Sequence, residues 1–161
     1  MLWTLTPSPV GELAVAVDDA GLCRVRFSPH DVPVDPVAAR PPPLARAVEQ
    51  LAAYFAGELT QFDLPLSVRG GSRFERAVWA ALRDIPYGEM RTYGEIAARA
   101  GEPGAARAVG VACNRNPLPV VVPCHRVVGA GGKLVGFGGG LPRKRHLLEL
   151  ESRVAMQRTW S

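Results

Sequence analysis

Residues 119–128 read Pro-Val-Val-Val-Pro-Cys-His-Arg-Val-Val, two β-branched runs fit for buried strands that are cut apart by a proline and three polar or reactive side chains. Pro123 has no amide hydrogen to give a strand partner and a fixed φ, so the chain must bend at the segment's only nucleophile. The rest of the chain has to fold around that bend. A free thiol titrates near ~8.5, and cationic neighbours lower this by several units. Cys124 is followed directly by an imidazole, His125, and a guanidinium, Arg126. Taken alone, a cysteine is more often a small buried hydrophobe, so the weight of the catalytic reading rests on the remaining sequence.

With 161 residues, 47% of them hydrophobic, the chain can form one large domain or two small ones with a real core. No run approaches the ~20 apolar residues of a membrane span, and Met1-Leu2-Trp3-Thr4 lacks the basic start of a signal peptide. A soluble cytoplasmic protein is expected. Cys23, Cys113 and Cys124 match neither a disulfide framework nor a zinc pattern, so they are expected reduced and metal-free; Cys23 and Cys113 receive no role. Residues 1–66 hold four Arg against eight acids, whereas residues 67–161 hold fifteen bases against seven acids. A basic part joined to an acidic one is the footprint of a polyanion partner, nucleic acid first, although a merely cationic soluble surface gives the same balance.

Leu2–Thr6, Leu13–Val17 and Leu22–Phe27 are short β-rich segments separated by turn residues, which predicts a small antiparallel sheet. The proline-rich stretch 28–43 reads as a surface loop or linker. Leu44, Val48, Leu51, Ala52 and Phe55 recur at helical spacing up to Gly57, Gln61 to Val68 is a candidate strand, and Arg69-Gly70-Gly71 marks a boundary. The domains expected are 1–68 and 72–161.

Beyond that boundary Ser72 and Glu75 have capping-box spacing for a helix that stops near Ile85-Pro86-Tyr87-Gly88. Thr92 and Glu95 form a second box, and a further helix runs from Ala105 to about Asn114. Helix, brief turn and helix over 92–114 fit a helix-turn-helix, and equally an ordinary helical hairpin. The second of these helices is made of small residues apart from Arg107, so it has almost nothing with which to read base edges. Binding through phosphates, largely independent of sequence, is expected, with one long cation able to enter a groove or the base stack.

Leu134 to Gly140 is a glycine-rich loop whose amides can approach a ligand; a phosphate cradle is the weaker reading, because the P-loop lysine and hydroxyl are absent. Pro142 suits the first position of a last helix, on which Leu147, Leu148 and Val154 share a face with Glu151. An inward carboxylate is costly unless paired, and His125 is the partner proposed for it, with an arginine as the alternative.

Residues 74–151 closely resemble the DNA-binding and active-site domain of the O6-alkylguanine-DNA alkyltransferases, also called methylated-DNA-protein-cysteine methyltransferases. Pro-Cys-His-Arg-Val at 123–127, Arg-Ala-Val-Gly at 107–110, Asn116-Pro117 and Gly-Gly-Leu at 139–141 match in order and spacing. The resemblance implies an α/β (α+β) protein: a small N-terminal sheet-and-helix domain of RNase-H-like fold with a structural role, then a mostly helical domain with a winged helix-turn-helix-like motif. It implies direct-reversal repair, in which an alkyl group passes irreversibly from guanine O6, with thymine O4 as a further substrate, to Cys124. His125 and Glu151 would complete a Cys-His-Glu relay through a water, Tyr93 would protonate the departing guanine, and Asn116 would brace the turn. Arg107 would replace the flipped-out nucleotide, with Ala106, Thr92, Arg115 and Arg126 also at the DNA and Val127, Phe137 and Gly138 lining the pocket. The implied partner is double-stranded DNA, bound through phosphates and the minor groove by a protein monomeric in solution and open to cooperative binding, with no cofactor and no metal. Phe137-Gly138 departs from the tyrosine followed by serine or alanine of many relatives, which leaves the lesion range open. The competing readings are a non-catalytic lesion-binding or regulatory protein on the same scaffold and a cysteine hydrolase using Cys124 and His125.

Overall fold

Three short strands open the chain and pair in sequence order. β1 (Leu2–Thr6), β2 (Leu13–Val17) and β3 (Leu22–Phe27) form an antiparallel meander in which Leu2 lies opposite Val17 and Leu13 opposite Phe27. These are the segments that β-branched content and turn residues predict. The computed structural model describes residues 1–27, 32–33 and 41–160, and it divides into two units, Met1–Arg69 and Gly70–Ser161.

In the first unit all five residues of the central strand β2 are buried, and α1 (Pro42–Phe55) packs on the sheet through Leu44, Ala47, Leu51 and Tyr54. Pro42 and Pro43 begin α1, where a missing amide hydrogen costs nothing, so the expected proline-rich loop stops short of them. Its positions 28–31 and 34–40 lie outside the described residues. The strand expected over Gln61–Val68 reduces to a single parallel bridge between Leu22 and Leu66. Leu22 N donates to Pro65 O (2.9 Å) and Ser67 N to Leu22 O (2.8 Å), but Pro65 has no donor with which to extend the ladder. Gly21 makes this approach possible: a Cβ there would lie 2.2 Å from Pro65 O.

In the second unit, α2 (Arg73–Arg83) and α3 (Tyr93–Arg99) each begin with a closed capping box, Ser72 with Glu75 and Thr92 with Glu95. A cap of this kind stabilises a helix by about 1 kcal/mol. α3 is joined to α4 (Ala106–Asn114) through Gly101 and Gly104, both left-handed (φ 86° and 88°), which gives the helix-turn-helix. The buried Trp79 of α2 donates its indole N–H to Ala112 O (2.9 Å), pinning α4 from behind. β4 (Arg91–Thr92) pairs in parallel with β5 (Val127–Val128), and the last helix, α5 (Leu141–Trp160), has Pro142 as its second residue. Leu147, Leu150, Glu151 and Val154 form its buried stripe; Leu148, expected on that face, is only partly buried. Among the described residues no helix is long and apolar enough to cross a membrane.

Candidate active site

The run 119–122 is not a strand. Asn116 captures its backbone instead: Oδ1 accepts from Leu118 N (2.9 Å) and Nδ2 donates to Val122 O (2.8 Å), while Val122 N donates to Leu118 O (2.8 Å). The turn is tight enough to force Val120 into the left-handed region (φ 75°), an expensive position for a β-branched residue. Pro123 follows at φ −82°, ψ 67°, an inverse γ-turn closed by Cys124 N donating to Val122 O (2.8 Å). Cys124, His125 and Arg126 then make one 3-10 turn that runs into β5.

All three side chains of that turn are buried. His125 is fully enclosed, and its Nε2 lies 2.7 Å from Glu151 Oε2 on α5. A carboxylate only accepts, so Nε2 carries the proton and Nδ1, which has no partner among the described residues, keeps a free lone pair. Burial lowers the proton affinity of His125, Glu151 raises it, and the charges of Arg126 and Lys144 lower it again; the net effect is a lowering, so the resting ring is neutral. Burial opposes the charge on Glu151, but hydrogen bonds and charge from His125 and Arg126 outweigh it and hold the carboxyl well below the usual range. Burial also pushes the Cys124 thiol up, against the lowering pull of the Asn116 side chain and the Lys144 charge. The resting nucleophile is therefore a thiol beside a neutral base.

The guanidinium expected to activate that thiol does not serve it, and the expectation that Arg126 meets DNA fails for the same reason. Arg126 is 7% exposed and points inward, with Nε 2.8 Å from Glu151 Oε1 and Nη2 3.0 Å from Oε2. Lys144, which the sequence pattern alone did not single out, is the cation whose charge reaches Cys124. It is fully buried, donates to Val127 O (2.6 Å), Val135 O (3.1 Å) and Gly136 O (3.2 Å), and lies 3.5 Å from Tyr93 Oη. Its position on the Leu147, Glu151, Val154 stripe was the available signal.

Tyr93, first residue of α3, donates to Val135 O (3.0 Å), and burial raises its hydroxyl to about 12. Val127 starts β5 and is buried, and its carbonyl is one of the three that Lys144 holds. Phe137 is half-buried, and Gly138 runs beside Asn114, where a Cβ on the glycine would lie 3.8 Å from Asn114 Oδ1. Arg107 and Ala106 open α4, with Arg107 exposed; Thr92 caps α3, and Arg115 is exposed beside Glu75 (3.4 Å). Cys23 is buried in the first unit against Ala16 O (3.5 Å), and Cys113 sits on α4 with its thiol pushed up to about 12 by burial. All three cysteines are free, and among the described residues no three His, Cys, Asp or Glu side chains gather as a metal site.

Two family models match the chain: the DNA binding domain of 6-O-methylguanine DNA methyltransferase over residues 73–153, and its ribonuclease-like domain over residues 1–68. A methylated-DNA–protein-cysteine methyltransferase from Mycolicibacterium paratuberculosis is 56% identical over 150 residues, covering 91% of this chain and 89% of that one. One from Methanosarcina acetivorans is 48% identical, covering 94% and 98%. Among solved structures, Mycobacterium tuberculosis OGT in complex with DNA superposes with a TM-score of 0.84 at 49% identity, covering 96% of this chain and 94% of its own.

Proposed function

The chain belongs to the 6-O-methylguanine DNA methyltransferase family, and from that premise we propose which of its residues carry out the repair reaction. The protein is a methylated-DNA–protein-cysteine methyltransferase, reversing damage by moving the alkyl group from guanine O6 to its own cysteine. Cys124 is the acceptor. As its sulfur attacks the alkyl carbon in line with the departing oxygen, the thiol proton passes through a water to His125 Nδ1, and Glu151 stabilises the imidazolium that forms. The carbon–oxygen bond breaks, its electron pair stays on the guanine, and Tyr93 supplies the proton. The thioether product is stable, so each molecule acts once.

The observation that carries this reading is the buried His125–Glu151 pair, which leaves one basic nitrogen free within the turn that presents Cys124. Asn116 holds that turn, and Lys144 with Tyr93 holds the Val135–Gly136 loop against it. Double-stranded DNA meets the helix-turn-helix through phosphates and the minor groove, with Arg107 as the residue that enters the stack and Ala106, Thr92 and Arg115 beside it. Val127, Phe137 and Gly138 line the guanine pocket. The protein is a cytoplasmic monomer, open to cooperative binding along DNA. The first unit, Met1–Arg69, serves a structural role.

Incubation with a duplex carrying one O6-methylguanine, followed by intact-mass analysis and peptide mapping, tests the assignment. One methyl on Cys124 is expected, and Cys124→Ser should lose transfer while still binding DNA. Unchanged mass or transfer surviving in the variant would remove Cys124 from the role, and repeated turnover would point to a hydrolase.

A further inference from the structure

Arg126 spends its donors inside the protein. Besides the two bonds to Glu151, its Nη1 donates to Ile85 O (2.7 Å), and the guanidinium lies 5.5 Å from the centre of the Tyr87 ring. The left-handed turn at Gly88 adds an amide to the same carboxylate, Gly88 N to Oε1 at 3.3 Å. Glu151 Oε1 therefore accepts from Arg126 Nε and Gly88 N, and Oε2 from His125 Nε2 and Arg126 Nη2. Among the described residues each oxygen thus accepts from two of these donors, and His125 shares the carboxylate with Arg126 and Gly88. A carboxylate facing histidine alone would spend its whole charge on stabilising the imidazolium.

We propose that Arg126 is a positioning residue for alkyl transfer: by sharing the Glu151 carboxylate it aims the histidine ring and withholds negative charge from it, so that His125 rests as a neutral imidazole with Nδ1 free to take the thiol proton. This rests on the assignment of Cys124, His125 and Glu151 given above. The charged and titratable groups around His125 are Glu151 and Lys144 on α5, Arg126 and Cys124 on its own turn, and Tyr87 beside the ion pair after α2. Burial lowers the proton affinity of the ring, Glu151 raises it, and Arg126 and Lys144 lower it again. Because the free base is the working form, activity should fall as pH drops through the titration of His125. Removing the Arg126 charge should move that fall to higher pH.

The measurement is the first-order rate of methyl transfer from a duplex containing one O6-methylguanine, under saturating protein, for wild type, Arg126→Gln and Arg126→Lys between pH 5.5 and 8.5. Arg126→Gln should raise the ratio of the rate at pH 8 to that at pH 6 by at least about fivefold over wild type, the change expected from displacing one titration. Arg126→Lys keeps the charge but not the forked geometry, so it should lose rate at every pH while holding the ratio within about twofold of wild type. A purely structural arginine would lower both rates together and leave the ratio in Arg126→Gln unchanged, and that result overturns the proposal. Should Arg126→Gln not fold, the ring nitrogen shifts of wild-type His125 decide: a neutral Nε2–H tautomer at pH 7 supports the proposal, and an imidazolium defeats it. Peptide mapping of the product separates the two layers, since methyl on a residue other than Cys124 would indict the site assignment instead.

Discussion

Arg107 stands on the exposed face of α4 and has no hydrogen bond or ion pair among the described residues, in contrast to Arg126, whose three nitrogens all donate to protein acceptors. If it fills the stack in place of an extruded nucleotide, it offsets part of the few kcal/mol needed to unpair and unstack that base. Arg107→Ala should slow repair of a duplex lesion by about tenfold or more, yet change the reaction of Cys124 with a free O6-substituted guanine by less than about twofold. Paired rate constants on the two substrates check this, and equal losses would mean that the arginine only supports the fold. At this scale the sequence was half legible. A lone long cation on a helix of small residues stands out, and so does Glu151 on an apolar stripe. Which of two neighbouring cations turns inward is settled by acceptors far away in sequence, here Ile85 O and Glu151, and no local pattern reports them.

The turn 116–123 shows why β-branched runs mislead at the level of elements. Pro119 and Pro123 remove two ladder donors from the run, and the Asn116 side chain then takes Leu118 N and Val122 O before any strand can. Helix starts were legible because both capping boxes are local, whereas the strand expected at Gln61–Val68 lost its ladder to Pro65. The Asn116 contacts also set a magnitude. Asn116→Ala leaves a backbone donor and acceptor without their partner, which should cost about 2–4 kcal/mol of stability by urea denaturation. Asn116→Asp keeps the bond from Leu118 N but places a negative charge against Val122 O and near the thiol. Its transfer rate should fall further than its stability does, and a rate loss no larger than that of a generic destabilised variant would mean that the turn is not tuned to Cys124.

Charge separates the two parts of the chain, with the excess of bases beyond residue 66, where the helix-turn-helix lies. Because α4 offers so few side chains for base edges, affinity for two unmodified duplexes of different sequence should agree within about threefold, while falling at least about a hundredfold between roughly 50 and 200 mM salt. Fluorescence anisotropy against a salt series measures both, and strong sequence preference would refute phosphate-led binding. The indole of Trp79 has a further use. It is 5% exposed and hydrogen-bonded to Ala112 O on α4, whereas Trp160 is 84% exposed and Trp3 lies in the first unit. The protein thus carries a native optical label seated against α4, so whether that helix stays in place or shifts when DNA is added can be followed in real time with nothing attached to the chain.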